Sequence, residues 1–359
     1  VFRLTPPASG EGLWTEEVLH SFTGVDGQFP LAPVTLGADG SVYGTTTGGG
    51  VGAGAPGIKG DGGTVFKLAN TAGWPVTVLH NFGPYKGNQP FSGVVFNSDG
   101  LLYGATSFTS YQTYPDTGII YSVSPQGDQV EYEMAHVFGK GSDGVAPVGL
   151  TVVPPASINE FVGATAASAN YPNALGNIYT LKTGANGRAV ETIVYSFQAA
   201  PDVSGPMAPP IGGTGALHGG YFGMAEFGGT HNQGGVYSVV PDGDTGGIET
   251  VLYNFGDQFY DPQLVSNFEG ATLVQSDKSG QLVGTTNAGG TKYSGTFFEV
   301  DPPAIAGGPW TEKVDVNFDS SDPTGGGSPL GALLKVGHTY YGALSDTPTG
   351  EGAIYELTH

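Results

Sequence analysis

A sixfold repeat constrains this chain more than any other feature, and self-similarity at a fixed period decides architecture before local propensity does. An apolar or aromatic pair followed by glycine and a small residue recurs as Val42-Tyr43-Gly44-Thr45, Leu102-Tyr103-Gly104-Ala105, Phe161-Val162-Gly163-Ala164, Tyr221-Phe222-Gly223-Met224, Leu282-Val283-Gly284-Thr285 and Tyr340-Tyr341-Gly342-Ala343. The glycines are 60, 59, 60, 61 and 58 residues apart. A second motif follows each one: Gly63-Thr64-Val65-Phe66, Gly118-Ile119-Ile120-Tyr121 and their four counterparts. A third ends in phenylalanine, as in Leu19-His20-Ser21-Phe22 and Leu79-His80-Asn81-Phe82.

Each unit reads as four short strands. Leu31 to Leu36 is an inner strand, and Asp39-Gly40 turns it into the Tyr-Gly strand. Asp-Gly between apolar runs is a strong hairpin signal. A Gly-rich loop, the Gly-Thr-Val-Phe strand, a second loop and the Leu-His-Ser-Phe strand complete the unit. Four antiparallel strands repeated six times predict an all-β, six-bladed β-propeller of four-stranded blades. Residues 1–359 are expected to form a single propeller domain of six repeats of about 60 residues. The last unit supplies Pro329 to Val336, Thr339 to Leu344 and Gly352 to Leu357. Glu16 to Phe22 is then the expected fourth strand, so that N- and C-terminal strands close the ring in one blade. Val1 to Leu4 competes for that blade, because it resembles a third strand.

Composition supports this reading by exclusion. Glycine numbers 63 and proline 26, yet 38% of residues are hydrophobic, which is too apolar for a disordered chain. The net charge of −21 and only two arginines, Arg3 and Arg188, exclude a nucleic-acid partner, which requires a basic face. They also argue against docking on anionic lipid. The chain has no cysteine, hence no disulfide, thiolate metal site or cysteine nucleophile. No apolar run reaches the length of a membrane span, so no membrane insertion is expected. The chain opens on Val1-Phe2-Arg3-Leu4, inside a strand motif, as a processed or trimmed chain does.

The motifs resemble the GloVer tandem-repeat family of bacterial secreted or surface proteins. Tyr43-Gly44-Thr45-Thr46, Gly48-Gly49-Gly50, Gly63-Thr64-Val65-Phe66-Lys67-Leu68 and Val18-Leu19-His20-Ser21-Phe22 carry the likeness. Phe161-Val162 and Tyr221-Phe222 depart from its Leu-Tyr pair. The resemblance implies a propeller and an extracellular or cell-surface setting, and says little about activity. The chain stops at Glu356-Leu357-Thr358-His359 without an anchor, which favours a free secreted form or a trimmed chain.

In a propeller, the loops between second and third strands share a face with the loops from an outer strand to the next inner strand. Here those loops are the long ones, and function usually rides on such loops over a rigid scaffold. The outer-to-inner loops carry Asp26-Gly27-Gln28-Phe29-Pro30, Lys86-Gly87-Asn88-Gln89-Pro90 and Asp143-Gly144-Val145-Ala146-Pro147, which read first as repeated turns before an inner strand. Departures from the repeat are more informative. Tyr114, Asp116, Tyr171, Asn173, Lys292, Tyr293 and Asn88 are the candidate substrate-binding residues, because aromatic faces stack on sugar rings while polar groups bond hydroxyls. Glu226 and Asp261 are the candidate carboxylate pair for glycoside hydrolysis. His231 and Tyr260 are the candidates for proton transfer in a polysaccharide lyase, a reading weakened by the scarcity of arginine. These same loop residues serve equally as decoration of Gly-rich turns.

His20, His80 and His136 recur at one repeat position and read as structural, because equivalent positions lie on separate blades. Asp242-Gly243-Asp244 lacks the closing glutamate of a calcium loop. The sequence therefore predicts no metal and no cofactor. The expected function is that of a monomeric, secreted propeller that binds or processes an extracellular glycan at the long-loop face. The alternative is a non-catalytic surface, adhesion or protein-interaction scaffold.

Overall fold

The computed structural model describes residues 1–8, 14–51, 62–83, 87–107, 117–126, 132–139, 142–154, 159–166, 175–184, 188–243, 246–256, 262–263, 273–305, 307–322 and 325–358. It is an all-β, six-bladed propeller of antiparallel sheets. Blade 1 contains Thr35–Leu36, Val42–Thr46, Thr64–Leu68 and Val76–Asn81. Blade 2 contains Val95–Phe96, Leu102–Thr106, Ile119–Val123 and Tyr132–Val137. Blade 3 contains Pro147–Val152, Glu160–Thr165, Asn177–Thr183 and Ala189–Ser196. Blade 4 divides its inner strand into Val203–Pro206 and Ile211–Gly212, followed by Tyr221–Gly228, Gly235–Pro241 and Gly247–Asn254. Blade 5 contains Val274–Gln275, Leu282–Thr286, Thr296–Asp301 and Thr311–Asn317. Blade 6 contributes Gly327–Val336, Thr339–Asp346 and Ala353–Thr358.

The competition for the closing blade resolves into a pair. Phe2–Thr5 runs antiparallel to Thr15–Val18, while the three C-terminal strands keep their own ladder. Trp14, at the head of the second N-terminal strand, meets Tyr341 of blade 6 edge-on, with ring centroids 5.8 Å apart. Closure is also visible in the phenylalanines. Each outer-strand phenylalanine packs on an aromatic of the next blade's third strand: Phe82 on Tyr121, Phe138 on Tyr179, Phe197 on Tyr237, Phe255 on Phe298 and Phe318 on Tyr355. Phe22 makes the same contact with Phe66 of blade 1, at 5.0 Å. The N-terminal pair thus stands where the blade before blade 1 must stand.

The core is distributed between blades. Separate buried clusters lie at each junction, such as Val162, Ile178, Phe197, Val203 and Tyr237 between blades 3 and 4. Burial of one such large side chain is worth roughly 1.5–3 kcal/mol. The repeated histidine is part of this packing: the rings of His20, His80 and His136 stand edge-on to the phenylalanine two residues later, at 4.8, 4.8 and 4.7 Å.

The Tyr-Gly motif has a direct steric cause. The ladder places each motif glycine opposite the third-strand aromatic: Gly44 faces Phe66, Gly104 Tyr121, Gly163 Tyr179, Gly223 Tyr237, Gly284 Phe298 and Gly342 Tyr355. The aromatic ring lies across the bare glycine, filling the space a Cβ would take.

The Tyr179 and Tyr237 oxygens are buried without a hydrogen-bond partner among the described residues. Burial holds both phenols above their ordinary pKa, so each stays a neutral, undercompensated donor. Blades 1 and 5 use phenylalanine here. Tyr237→Phe is therefore expected to raise stability by about 1 kcal/mol, since an unsatisfied buried polar group costs on that order. A lower urea midpoint for the variant would show that the hydroxyl has a partner.

Candidate ligand face

The long loops do share one face, and they are stitched together there. Gln28, in the loop entering blade 1, forms a bridge with Gly48, in the loop between that blade's second and third strands. Pro262–Gln263 pairs with Ala288–Gly289 in the same way at blade 5, and Ser204 pairs with Phe227 at blade 4.

The Gly-x-x-Pro turn accounts for the stitching. The residue before proline is left-handed in blade after blade: Phe29 (φ 57°), Gln89 (φ 52°), Ala146 (φ 53°) and Ser328 (φ 52°), with Gly205 (φ 68°) at the blade 4 position. That conformation is unfavourable for a residue with a Cβ, and more so before proline, so the fold must hold it in place. Hydrogen bonds do so from both sides. The Gln89 N–H donates to Gly62 O at 2.9 Å, and the Ala146 N–H to Thr117 O at 2.9 Å, each reaching back to the preceding blade. The carbonyls of Phe29 and Ala146 accept from Thr47 and Ala166 of their own blades, both at 3.0 Å. Ala146 thus ties two blades by itself, the structural role expected of the repeated turn.

The inner strands that follow these turns line an apolar throat of about 160 Å³, walled by Leu31, Val34, Phe91, Val148, Met207 and Ala332 among others. Its sequence signal is the apolar residue after each turn proline, which taken by itself reads only as strand.

Five of the eleven candidate site residues lie within the described structure. Glu226 is half-buried near the loop end of blade 4's second strand. His231 is exposed in the turn that follows, with Nδ1 3.1 Å from the Thr230 hydroxyl. The structure therefore brings these two to one hairpin. Lys292 and Tyr293 lie in the corresponding turn of blade 5. The Lys292 ammonium pairs with Asp319 Oδ2 at 3.0 Å, and hydrogen bonds from Ser321, followed by this pairing, hold the Asp319 carboxyl at about 2. Tyr293 is left-handed (φ 58°), its N–H donates to Gly290 O at 3.2 Å, and it is 61% exposed. Asn88 is buried inside a Gly-x-x-Pro turn, 4% exposed. Asp261, Tyr260, Tyr114, Asp116, Tyr171 and Asn173 fall outside the described residues.

The family model of the Gloeobacter/Verrucomicrobia repeat matches residues 1–170. Over those residues the chain is similar to that repeat. The repeat family inferred from the motifs is therefore borne out over that stretch. No curated protein matches the chain. Among solved structures, a putative oxidoreductase (glucose dehydrogenase) from Thermus thermophilus is 13% identical, with a TM-score of 0.50 over 92% of this chain and 97% of that one. A putative 6-phosphogluconolactonase from Bacteroides uniformis is 13% identical, with a TM-score of 0.49 over 92% and 85%. An α-L-arabinanase from Penicillium chrysogenum, complexed with arabinobiose, is 13% identical, with a TM-score of 0.49 over 90% and 92%. At such identity, the Thermus likeness is one of fold alone. No helix among the described residues is long and apolar enough to cross a membrane.

Proposed function

We propose that this propeller works outside the cell as a monomer of one domain and binds a glycan across its long-loop face. Tyr293 carries the reading. A tyrosine in left-handed backbone is strained, and strain persists where the surrounding structure imposes it. Here the turn is tied down by the Thr291 N–H, which donates to Asn317 Oδ1 at 2.6 Å. The result is a large aromatic residue presented to solvent in the turn whose Lys292 pairs with Asp319. A flat apolar ring flanked by fixed polar groups suits a sugar, whose axial C–H bonds meet the ring and whose hydroxyls meet the charges.

The catalytic form of the proposal uses Glu226 with Asp261 as acid and base or nucleophile, or His231 with Tyr260 in a lyase. A screen of neutral and acidic polysaccharides that reads both binding and new reducing or unsaturated ends tests both forms. Tyr293→Ala is expected to weaken binding about tenfold, the loss of one stacking contact of roughly 1 kcal/mol or slightly more. Turnover abolished by Glu226→Gln or His231→Ala would assign an enzyme. Absence of any binding across the panel sinks the glycan reading.

One observation favours a protein partner instead. Val25, Phe29 and Val51 stand 66%, 64% and 62% exposed on the two loops of blade 1 that share this face. A display or adhesion scaffold would use such a patch, and it is the reading left standing if no glycan binds.

A further inference from the structure

The outer rim between blades 2 and 3 holds a cluster that the loop-face reading does not use. His136 comes from the outer strand of blade 2, Asp143 from the loop that leaves it, and Glu191 from the outer strand of blade 3. His136 Nε2 lies 3.4 Å from Asp143 Oδ2 and 3.8 Å from Glu191 Oε2. One ligand atom from each falls within 4.8 Å of the others, the one such group among the described residues. The three line an open cleft of about 660 Å³, along with Glu133 and Arg188.

We propose that His136, Asp143 and Glu191 bind a divalent cation of the zinc class, which clamps blade 2 to blade 3. Geometry supports it first. Ligand atoms about 2.1 Å from a tetrahedral zinc stand roughly 3.4 Å apart, and three protein ligands leave a fourth position for water. The observed separations need only a small inward movement of Glu191. Burial supports it second. Asp143 and Glu191 are 9% and 10% exposed, so two carboxylates share a nearly dry site. Glu191 Oε1 is buried with no hydrogen-bond partner among the described residues. A cation removes both penalties at once. Asp143 is already oriented, because the Gly139 N–H donates to its Oδ1 at 3.0 Å.

The repeat provides an internal control. At the next junction the same three positions are Tyr195, Asp202 and Glu249, and the Tyr195 hydroxyl donates to Asp202 Oδ2 at 2.8 Å. Tyrosine stands where the ligand histidine would be. At the N-terminal junction His20 Nε2 meets Asp26 Oδ2 at 2.7 Å, but Val76 occupies the glutamate position. His136→Tyr therefore imports an arrangement that this fold already tolerates one blade away.

Titration calorimetry of the full, untagged chain with Zn²⁺ after chelation tests the proposal. One ion per chain is expected to bind, with affinity at least tenfold weaker in His136→Tyr and again in Glu191→Gln. Thermal melting should show zinc raising the transition of the wild type and leaving that of both variants unmoved. If His136→Tyr fails to fold, Glu191→Gln carries the test alone, since amide for carboxylate keeps the shape. No stoichiometric binding to the wild type, or binding undiminished in a folded variant, overturns the proposal.

Discussion

Gly163→Ala should destabilise the propeller by about 3 kcal/mol, the upper part of the range for overpacking a buried site. A Cβ at that position would fall 2.4 Å from both the ring carbon and the oxygen of Tyr179. No real Cβ contact is that short. The ring cannot swing clear, because Tyr179 is fully buried and packs on Phe138 of the neighbouring blade. The strand must therefore shift, and the junction between blades 2 and 3 opens with it. Tyr179→Leu relieves the clash while creating its own cavity. The double variant should consequently be more stable than the sum of the two single losses predicts, with a coupling of about 1 kcal/mol or more. Urea unfolding of the four proteins measures this. Strict additivity would mean that the glycine recurs in all six units for some reason other than the ring.

This pairing marks the border of what the amino-acid sequence discloses. The Tyr-Gly motif and the third-strand aromatic are both plain as repeats, and blade number follows from counting them. Their partnership is not legible, because it depends on the antiparallel register, and register places Gly163 against Tyr179 across 16 residues of chain. The inner strand reads too long in the sequence for a related reason. Leu31 to Leu36 is largely apolar, but only Thr35–Leu36 is laddered. The residues before them line the throat, where apolar character serves a cavity wall rather than a sheet. The N-terminal ambiguity has the same origin: Val1 to Leu4 and Glu16 to Phe22 both look like blade strands because they pair with each other.

The site is less legible than the scaffold. Choosing loop-face candidates where a unit departs from the repeat leads to Tyr293 on its strained turn and to Glu226 and His231 on one hairpin. Asn88 comes from the repeated turn itself rather than from a departure, and the structure buries it. The rim cluster escapes that choice because no single repeat contains the cluster. His136 and Asp143 lie either side of one outer-strand phenylalanine, and Glu191 comes from the following unit, 48 residues beyond Asp143. Comparing equivalent histidines with each other cannot find it. Comparing each histidine with the next unit's acidic position does.

That acidic position gives the second large effect, a loss of stability as pH rises. At the junction of blades 3 and 4, burial and then the neighbouring Asp202 push the Glu249 carboxyl up to about 7 from its ordinary 4.5. Tyr195 and Tyr237 face the same group. The folded chain therefore holds a proton on Glu249 that the unfolded chain releases above about pH 4.5. Stability falls with pH wherever the native state binds more protons than the unfolded one. This contribution is full below about pH 4.5, declines through the interval to about pH 7, and is gone above it. The melting temperature is expected to drop by several degrees between about pH 5 and pH 7.5. Part of that drop belongs to the charge of −21, whose self-repulsion grows over the same range. Glu249→Gln separates the two. It keeps the neutral, hydrogen-bonding shape at every pH, so it should match the wild type near pH 5 and exceed it near pH 7.5. Parallel curves for the two proteins would show that Glu249 is ionised in the folded state across the whole range.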